Sequence, residues 1–95
     1  MPLSIEWSRS AVRDLRRVRA GGDRAATGSQ SERAQAIVAA VAVLADHPYL
    51  GRSGRVVGTR ELVIGATPYI AVYLVKDGRV SIARILYHAQ RWPSA

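Results

Sequence analysis

The chain has 95 residues, 48% of them apolar, which suits one folded domain (1–95) with a single modest core and is too apolar for a disordered segment. It has no cysteine, which excludes disulfides and thiolate metal sites, and its 14 Lys and Arg against 7 Asp and Glu leave a net charge of +7. Lys76 is the single lysine, so the basic groups are almost all planar guanidinium forks suited to carboxylate or phosphate; an anionic partner, nucleic acid or acidic polypeptide, fits that choice, and so does the codon usage of a GC-rich genome.

The N-terminal MPLSIEWSRS lacks a basic region followed by an apolar stretch, and the expectation is a soluble cytoplasmic protein with no membrane partner. In LSIEW, residues 3–7, Leu3, Ile5 and Trp7 alternate with Ser4 and Glu6, which predicts a half-buried strand. From Ser8 the period changes to that of a helix, with Ser8 as N-cap and Ala11, Val12, Leu15 and Val18 facing the core. Its other face carries Arg9, Arg13, Arg16 and Arg17, with Asp14 among them; such a face is ordinarily just solvated.

Residues 21–30, GGDRAATGSQ, read as a loop. A capping box of Ser29 and Glu32 then opens a second helix, which should run to about His47, where Pro48 stops it. Ile37, Val38, Val41 and Leu44 mark its core face, but alanines surround it, so it should be covered on more than one side. It is too short and too closely flanked by charge to span a membrane.

Residues 48–58, PYLGRSGRVVG, form a basic loop carrying Arg52 and Arg55. TRELVI and YIAVYLV are strands separated by the turn GATP, and Asp77-Gly78 joins YIAVYLV to VSIARILYH as a hairpin. The expected fold class is α+β: two helices on one face of a four-stranded, mainly antiparallel sheet in the order β-α-α-β-β-β. Strict alternation puts Val80, Ile82, Arg84 and Leu86 on one face, and an arginine in an apolar row needs an acid, for which Glu61 and Glu6 are the candidates.

No metal site is expected, because His47 and His88 belong to no ligand-spaced cluster, and no phosphate loop or serine elbow calls for a cofactor or a nucleophile. Metal-free RNA cleavage requires a base, an acid and a cation, and His88 with Arg60 or Arg91 would be chemically adequate. A lone histidine at a strand end is more commonly a solvated residue, and Trp92 before Pro93 more commonly an aromatic plug holding the terminus.

Three stretches in this order, IEWSRSAVRDLRRV, GTRELVIGATPYIAVYLV and ILYHAQRWP, resemble the RelE/ParE superfamily of bacterial type II toxins over most of the chain. The resemblance implies the fold just derived and a cognate antitoxin that wraps and neutralises the toxin. Ribosome-dependent mRNA endonucleases of the RelE type carry a phosphate-holding arginine where this chain has Ile70, which places it with ParE-like members that poison DNA gyrase. Tyr87-His88 instead resembles the catalytic pair of YoeB-type nucleases, so His88, Tyr87, Arg60 and Arg91 would be the catalytic set if the chain cleaves RNA on the ribosome. In either case an acidic amphipathic antitoxin segment would engage Arg13, Arg16, Arg17, Arg60, Arg84 and Trp92. A third expectation is a non-toxic co-repressor that reaches operator DNA through the antitoxin.

Overall fold

The computed structural model describes residues 2–21, 30–88 and 92–93. Its centre is the hairpin of β4 (Tyr69–Lys76) and β5 (Arg79–Tyr87), closed by Asp77 and Gly78, both at positive φ (54° and 72°). Two successive left-handed residues give a turn whose twist matches the flanking strands, the geometry Asp-Gly favours. β3 (Arg60–Val63) pairs antiparallel with β4, and β1 (Ser4–Trp7) pairs parallel with the first half of β5, Ile5 beside Val80 and Trp7 beside Ile82. A short β2 (Arg52–Ser53) adds to β3, so the sheet has five strands in the order β1-β5-β4-β3-β2. The α+β class holds; the fifth strand lies inside what reads as loop, because two residues are too few to show a period.

Helix α1 (Arg9–Arg19) starts where expected: the Ser8 hydroxyl accepts the Ala11 N–H at 3.0 Å. Arg16, Arg17 and Arg19 in its last turn complement the helix dipole. Helix α2 (Gln30–Val43) ends earlier than expected, because Leu44, Ala45 and Asp46 tighten into bonds three residues back before Pro48. The predicted cap at Ser29 and most of the 21–30 loop lie outside the described residues.

Both helices lie on one face of the sheet. Tyr69, Ala71 and Tyr73 of β4 and Val80, Ile82 and Ile85 of β5 pack there against Ala11, Val18, Ile37, Val41 and Leu44. Each large side chain so buried contributes about 1.5–3 kcal/mol of transfer free energy. The alanine-rich α2 is covered on the side of the sheet and α1, while Val38 and Val43 on its outer side face solvent. Among the described residues no helix is long and apolar enough to cross a membrane.

One irregularity positions the site. Val72 pairs with Arg84 and Tyr73 with Ile82, so Ala83 is an extra residue in β5, a bulge. The bulge reverses the alternation: Val80 and Ile82 face the helices, as does Ile85 after it, and Arg84 and Leu86 turn to the other face. Arg84 therefore does not share the row of Val80 and Ile82, and its acid is neither Glu61 nor Glu6. It is Asp14, on α1, which accepts Arg84 Nε at 2.8 Å and Nη2 at 3.1 Å. Glu6 pairs instead with Arg79 at 3.6 Å on the surface.

Candidate functional site

The two edges of the sheet each carry a basic cleft. On the β1 edge, Trp7 lies half-buried beside α1, and Arg9, Val12, Arg13 and Arg16 close the other side of an open cleft of ≈ 370 Å³. Trp7 faces the helices because it pairs with Ile82, and the arginines recur at helical spacing, so strand period and helix period together line the cleft with an aromatic floor and a cationic wall. The arginine face expected from the sequence is real, with one change: Asp14 does not share it. Asp14 turns inward, 4% exposed, and Arg17 reaches back to it at 3.6 Å.

On the opposite edge, residues 48–60 form a second cleft, of ≈ 410 Å³, with Tyr49, Val56, Val57, Arg60 and Val75 in its lining. The core holds this loop in place. The buried Tyr73 hydroxyl donates to the Pro48 carbonyl at 2.8 Å and accepts the Gly51 N–H at 2.9 Å. Arg60 Nε and Nη2 donate to the Gly51 and Tyr49 carbonyls at 3.0 and 3.3 Å, and the guanidinium lies over the Tyr49 ring, 5.2 Å from its centroid. Glu61, 3% exposed, accepts the Arg55 N–H at 3.0 Å and pairs with the Arg52 and Arg55 side chains at 3.4 and 3.8 Å. Gly51 is required here, since a Cβ would stand 2.7 Å from the Tyr73 hydroxyl and 2.9 Å from the Glu61 carbonyl oxygen. What the sequence presents as a glycine-rich basic loop is a platform with its backbone polar groups bonded to core side chains.

The third feature is the end of β5. His88 is exposed and stacks on Tyr87, with ring centroids 5.2 Å apart and planes 12° apart; Tyr87 in turn meets Tyr69 edge-on. Trp92 returns over the sheet face away from the helices, where it lines a recess with Ile70, Val72, Leu86 and His88. Its carbonyl accepts Arg55 Nη1 at 3.3 Å, and Arg84 Cζ lies 5.9 Å from its ring centroid. The plug reading of Trp92 fits this placement. Its buried indole N–H has no hydrogen-bond partner among the described residues.

The candidate catalytic set is dispersed. Arg60 pairs with Tyr73 and Tyr87 with Tyr69, positions four residues apart along β4, or about 13 Å at roughly 3.3 Å per residue. Arg60 is also committed to two carbonyls and to Tyr49, so the structure does not bring it to His88. Arg55, in the recess beside His88, is held by Glu61 and the Trp92 carbonyl. Arg91 lies outside the described residues. Among the proposed antitoxin contacts, Arg13 and Arg16 share the first cleft, Arg60 lies at the other edge, and Arg84 is occupied by Asp14, whose hydrogen bond raises the already high pKa of the guanidinium. Tyr49 and Val57 went unnoticed in the sequence; the signal available was an exposed aromatic and an aliphatic inside a loop rich in Gly and Arg.

The sequence model of the family described as ParE toxin of the type II toxin-antitoxin system, parDE, matches residues 5–92, both clefts included. The chain belongs to the ParE toxin family. It is 34% identical over 89 residues to "Putative toxin Y4kP" of Sinorhizobium fredii (strain NBRC 101917 / NGR234), covering 94% of this chain and 92% of that protein. Its fold superposes on a chain of the chromosomal ParDE system from P. aeruginosa with a TM-score of 0.73 at 27% identity, over 87% of this chain and 92% of that one. The toxin–antitoxin complex RelBE2 from Mycobacterium tuberculosis shares the fold, with a TM-score of 0.64 at 23% identity over 92% and 99% of the two chains. This ParE-family chain is therefore a toxin of a type II toxin–antitoxin system, and the match from residue 5 to 92 includes residues 21–30 as well as Tyr87-His88.

Proposed function

We propose that this ParE-family toxin arrests growth by acting on DNA gyrase and that its antitoxin lays an acidic amphipathic segment in the Trp7–Arg13–Arg16 cleft. The observation that carries the gyrase reading is Ile70: it is buried on the sheet face beneath Trp92, in a row with Val72 and Leu86, where an RNA-cleaving relative would place a phosphate-holding arginine. An aliphatic side chain there offers a scissile phosphate nothing, and the separation of Arg60 from His88 points the same way. For the antitoxin, an aromatic floor next to a row of guanidinium groups suits a segment that alternates apolar and acidic residues. Such a segment would be ordered on binding, and its burial has to exceed that entropy cost.

The experiment is expression of the toxin alone, then with the product of the neighbouring gene, followed by supercoiling and translation assays on purified components. Growth arrest, rescue by the neighbour, blocked supercoiling and unimpaired translation are expected. Harmless expression would remove the toxin activity, and cleavage of ribosome-bound mRNA would replace gyrase as target. That second reading is favoured by one observation, the exposed His88 stacked on Tyr87, which could present an imidazole to RNA.

A further inference from the structure

The platform of residues 48–60 has a shape the antitoxin cleft does not account for. Its outermost side chain, Val57, is 99% exposed, and Tyr49 beside it is 66% exposed. A fully exposed valine is ordinarily found on a mobile tip, yet this turn is closed by bonds of its own: the Gly54 N–H donates to the Thr59 carbonyl at 2.8 Å, and the Thr59 N–H and hydroxyl both donate to the Val56 carbonyl, at 3.1 and 2.6 Å. With Tyr73, Arg60 and Glu61 anchoring the flanks, the valine is held out as a knob next to a ≈ 410 Å³ hollow floored by Val56 and Val75. Preorganisation of this kind lowers the ordering cost of binding.

The charge around the knob selects the partner. Arg60, the one charged side chain in the lining of the hollow, donates to two neutral carbonyls and lies over the Tyr49 ring, so the hollow keeps its positive charge. An aliphatic knob, an apolar hollow and the Arg60 guanidinium at its edge fit a protein surface that offers an apolar side chain and an apolar pocket within acidic surroundings. A nucleic-acid duplex would meet the exposed valine and a single guanidinium, already bonded to two carbonyls, which is too little for phosphate contact. The strand residues that line the hollow, Ser53 of β2, Arg60 of β3 and Val75 of β4, stand two to four strand spacings from β1, at least about 10 Å from the strand that carries Trp7.

We propose that the Tyr49–Val57 platform is the surface with which the toxin grips its target, an acidic protein, and that it is separate from the antitoxin cleft. This rests on the toxin reading above. The test compares wild type, Val57→Asp and Tyr49→Ala in three measurements: growth arrest on induction, inhibition of supercoiling by purified DNA gyrase, and capture by the purified antitoxin. Both side chains are largely in solvent, and thermal melting of each variant checks that the fold is retained.

The expected result is at least a tenfold loss of growth inhibition for Val57→Asp and a smaller loss for Tyr49→Ala, with antitoxin capture unchanged. Supercoiling inhibition should fall in parallel. Variants that arrest growth as wild type does would overturn the proposal, and so would an equal loss of antitoxin capture, which would assign the platform to the antitoxin. Binding of wild type to a 30-base-pair duplex that Val57→Asp abolishes would assign it to nucleic acid instead. If wild type arrests growth without touching gyrase, the gyrase reading fails and the growth comparison still decides the platform. A harmless wild type overturns the toxin activity and this surface together.

Discussion

Asp14 of α1 and Arg84 of β5, 70 residues apart in the chain, form a two-pronged ion pair at 2.8 and 3.1 Å, and the same carboxylate accepts the Ile85 N–H at 2.9 Å. Two residues earlier the Ser8 hydroxyl donates to the Ala83 carbonyl at 2.9 Å. β1 pairs with β5 only as far as Ile82, so the second half of β5 would otherwise present bare backbone groups. Side chains of the first helix and its cap complete the ladder where the strand runs out.

Removing the Asp14 carboxylate should therefore cost far more than an ordinary surface charge. Asp14→Ala leaves a guanidinium and a backbone N–H unpaired at a site 4% exposed. Breaking a buried pair costs about 3–5 kcal/mol, and because Arg84 retains some access to water the lower end, about 3 kcal/mol, is expected. For a domain this size that is a drop of about 12 °C or more in melting temperature, measurable by circular dichroism. The pH dependence has a definite sign. The hydrogen bond to Asp14 raises the pKa of Arg84, so its contribution is complete below the ordinary arginine value and is lost only as pH rises past the still higher folded value. Between neutrality and mild alkali the Arg84 contribution should stay constant.

Tyr73→Phe tests whether the core holds the 48–60 platform in place. The hydroxyl bridges the Pro48 carbonyl and the Gly51 N–H, and phenylalanine fills the same volume without it. The expected loss is about 1–3 kcal/mol, the usual cost of leaving buried polar groups unsatisfied. Faster hydrogen exchange at Gly51 and Arg55, with exchange in β5 changed only by the global loss, would show that the effect is local to the loop. Uniform acceleration across the sheet at unchanged loop protection would contradict it.

The contrast between these two sites shows what the sequence makes legible. Local patterns reveal both helices, the Ser8 cap, the four strands other than β2 and the Asp77-Gly78 hairpin, because each depends on neighbours within a few residues. The arginine wall of α1 is legible for the same reason. Asp14 is misplaced because its partner depends on the bulge at Ala83, and nothing in SIARIL announces an extra residue. The rigidity of the platform is hidden because its anchors come from Tyr73 and Glu61 on strands that fold beside it. That Arg60 and His88 stand at opposite ends of β4 follows from register, which a list of polar residues does not contain.

Charge reversal on α1 should weaken antitoxin binding without unfolding the toxin. Arg13 and Arg16 are exposed and line the Trp7 cleft. Arg13→Glu and Arg16→Glu each replace an attraction to an acidic segment with a repulsion. About a tenfold rise in Kd per substitution is expected, corresponding to about 1.4 kcal/mol. The loss should shrink as salt is raised, because exposed charges are screened beyond a Debye length of about 8 Å at physiological ionic strength. Titration calorimetry at two salt concentrations checks both, and a salt-independent loss would place the antitoxin's acidic residues elsewhere.

His88→Ala separates the two possible targets with one substitution. The side chain is exposed and rests on Tyr87, while its backbone N–H, bonded to the Pro68 carbonyl at 2.8 Å, survives the change. Stability should shift by no more than about 0.5 kcal/mol, as for other surface positions. If gyrase is the target, the variant should arrest growth as wild type does, since the platform and both clefts are intact. If RNA is the target, loss of the only imidazole at the end of β5 should abolish cleavage while antitoxin capture persists. Growth curves of the two strains, read together with the melting temperature of the purified variant, distinguish these outcomes, because a harmless yet fully folded His88→Ala toxin would tie toxicity to the imidazole and so favour RNA over gyrase as the target.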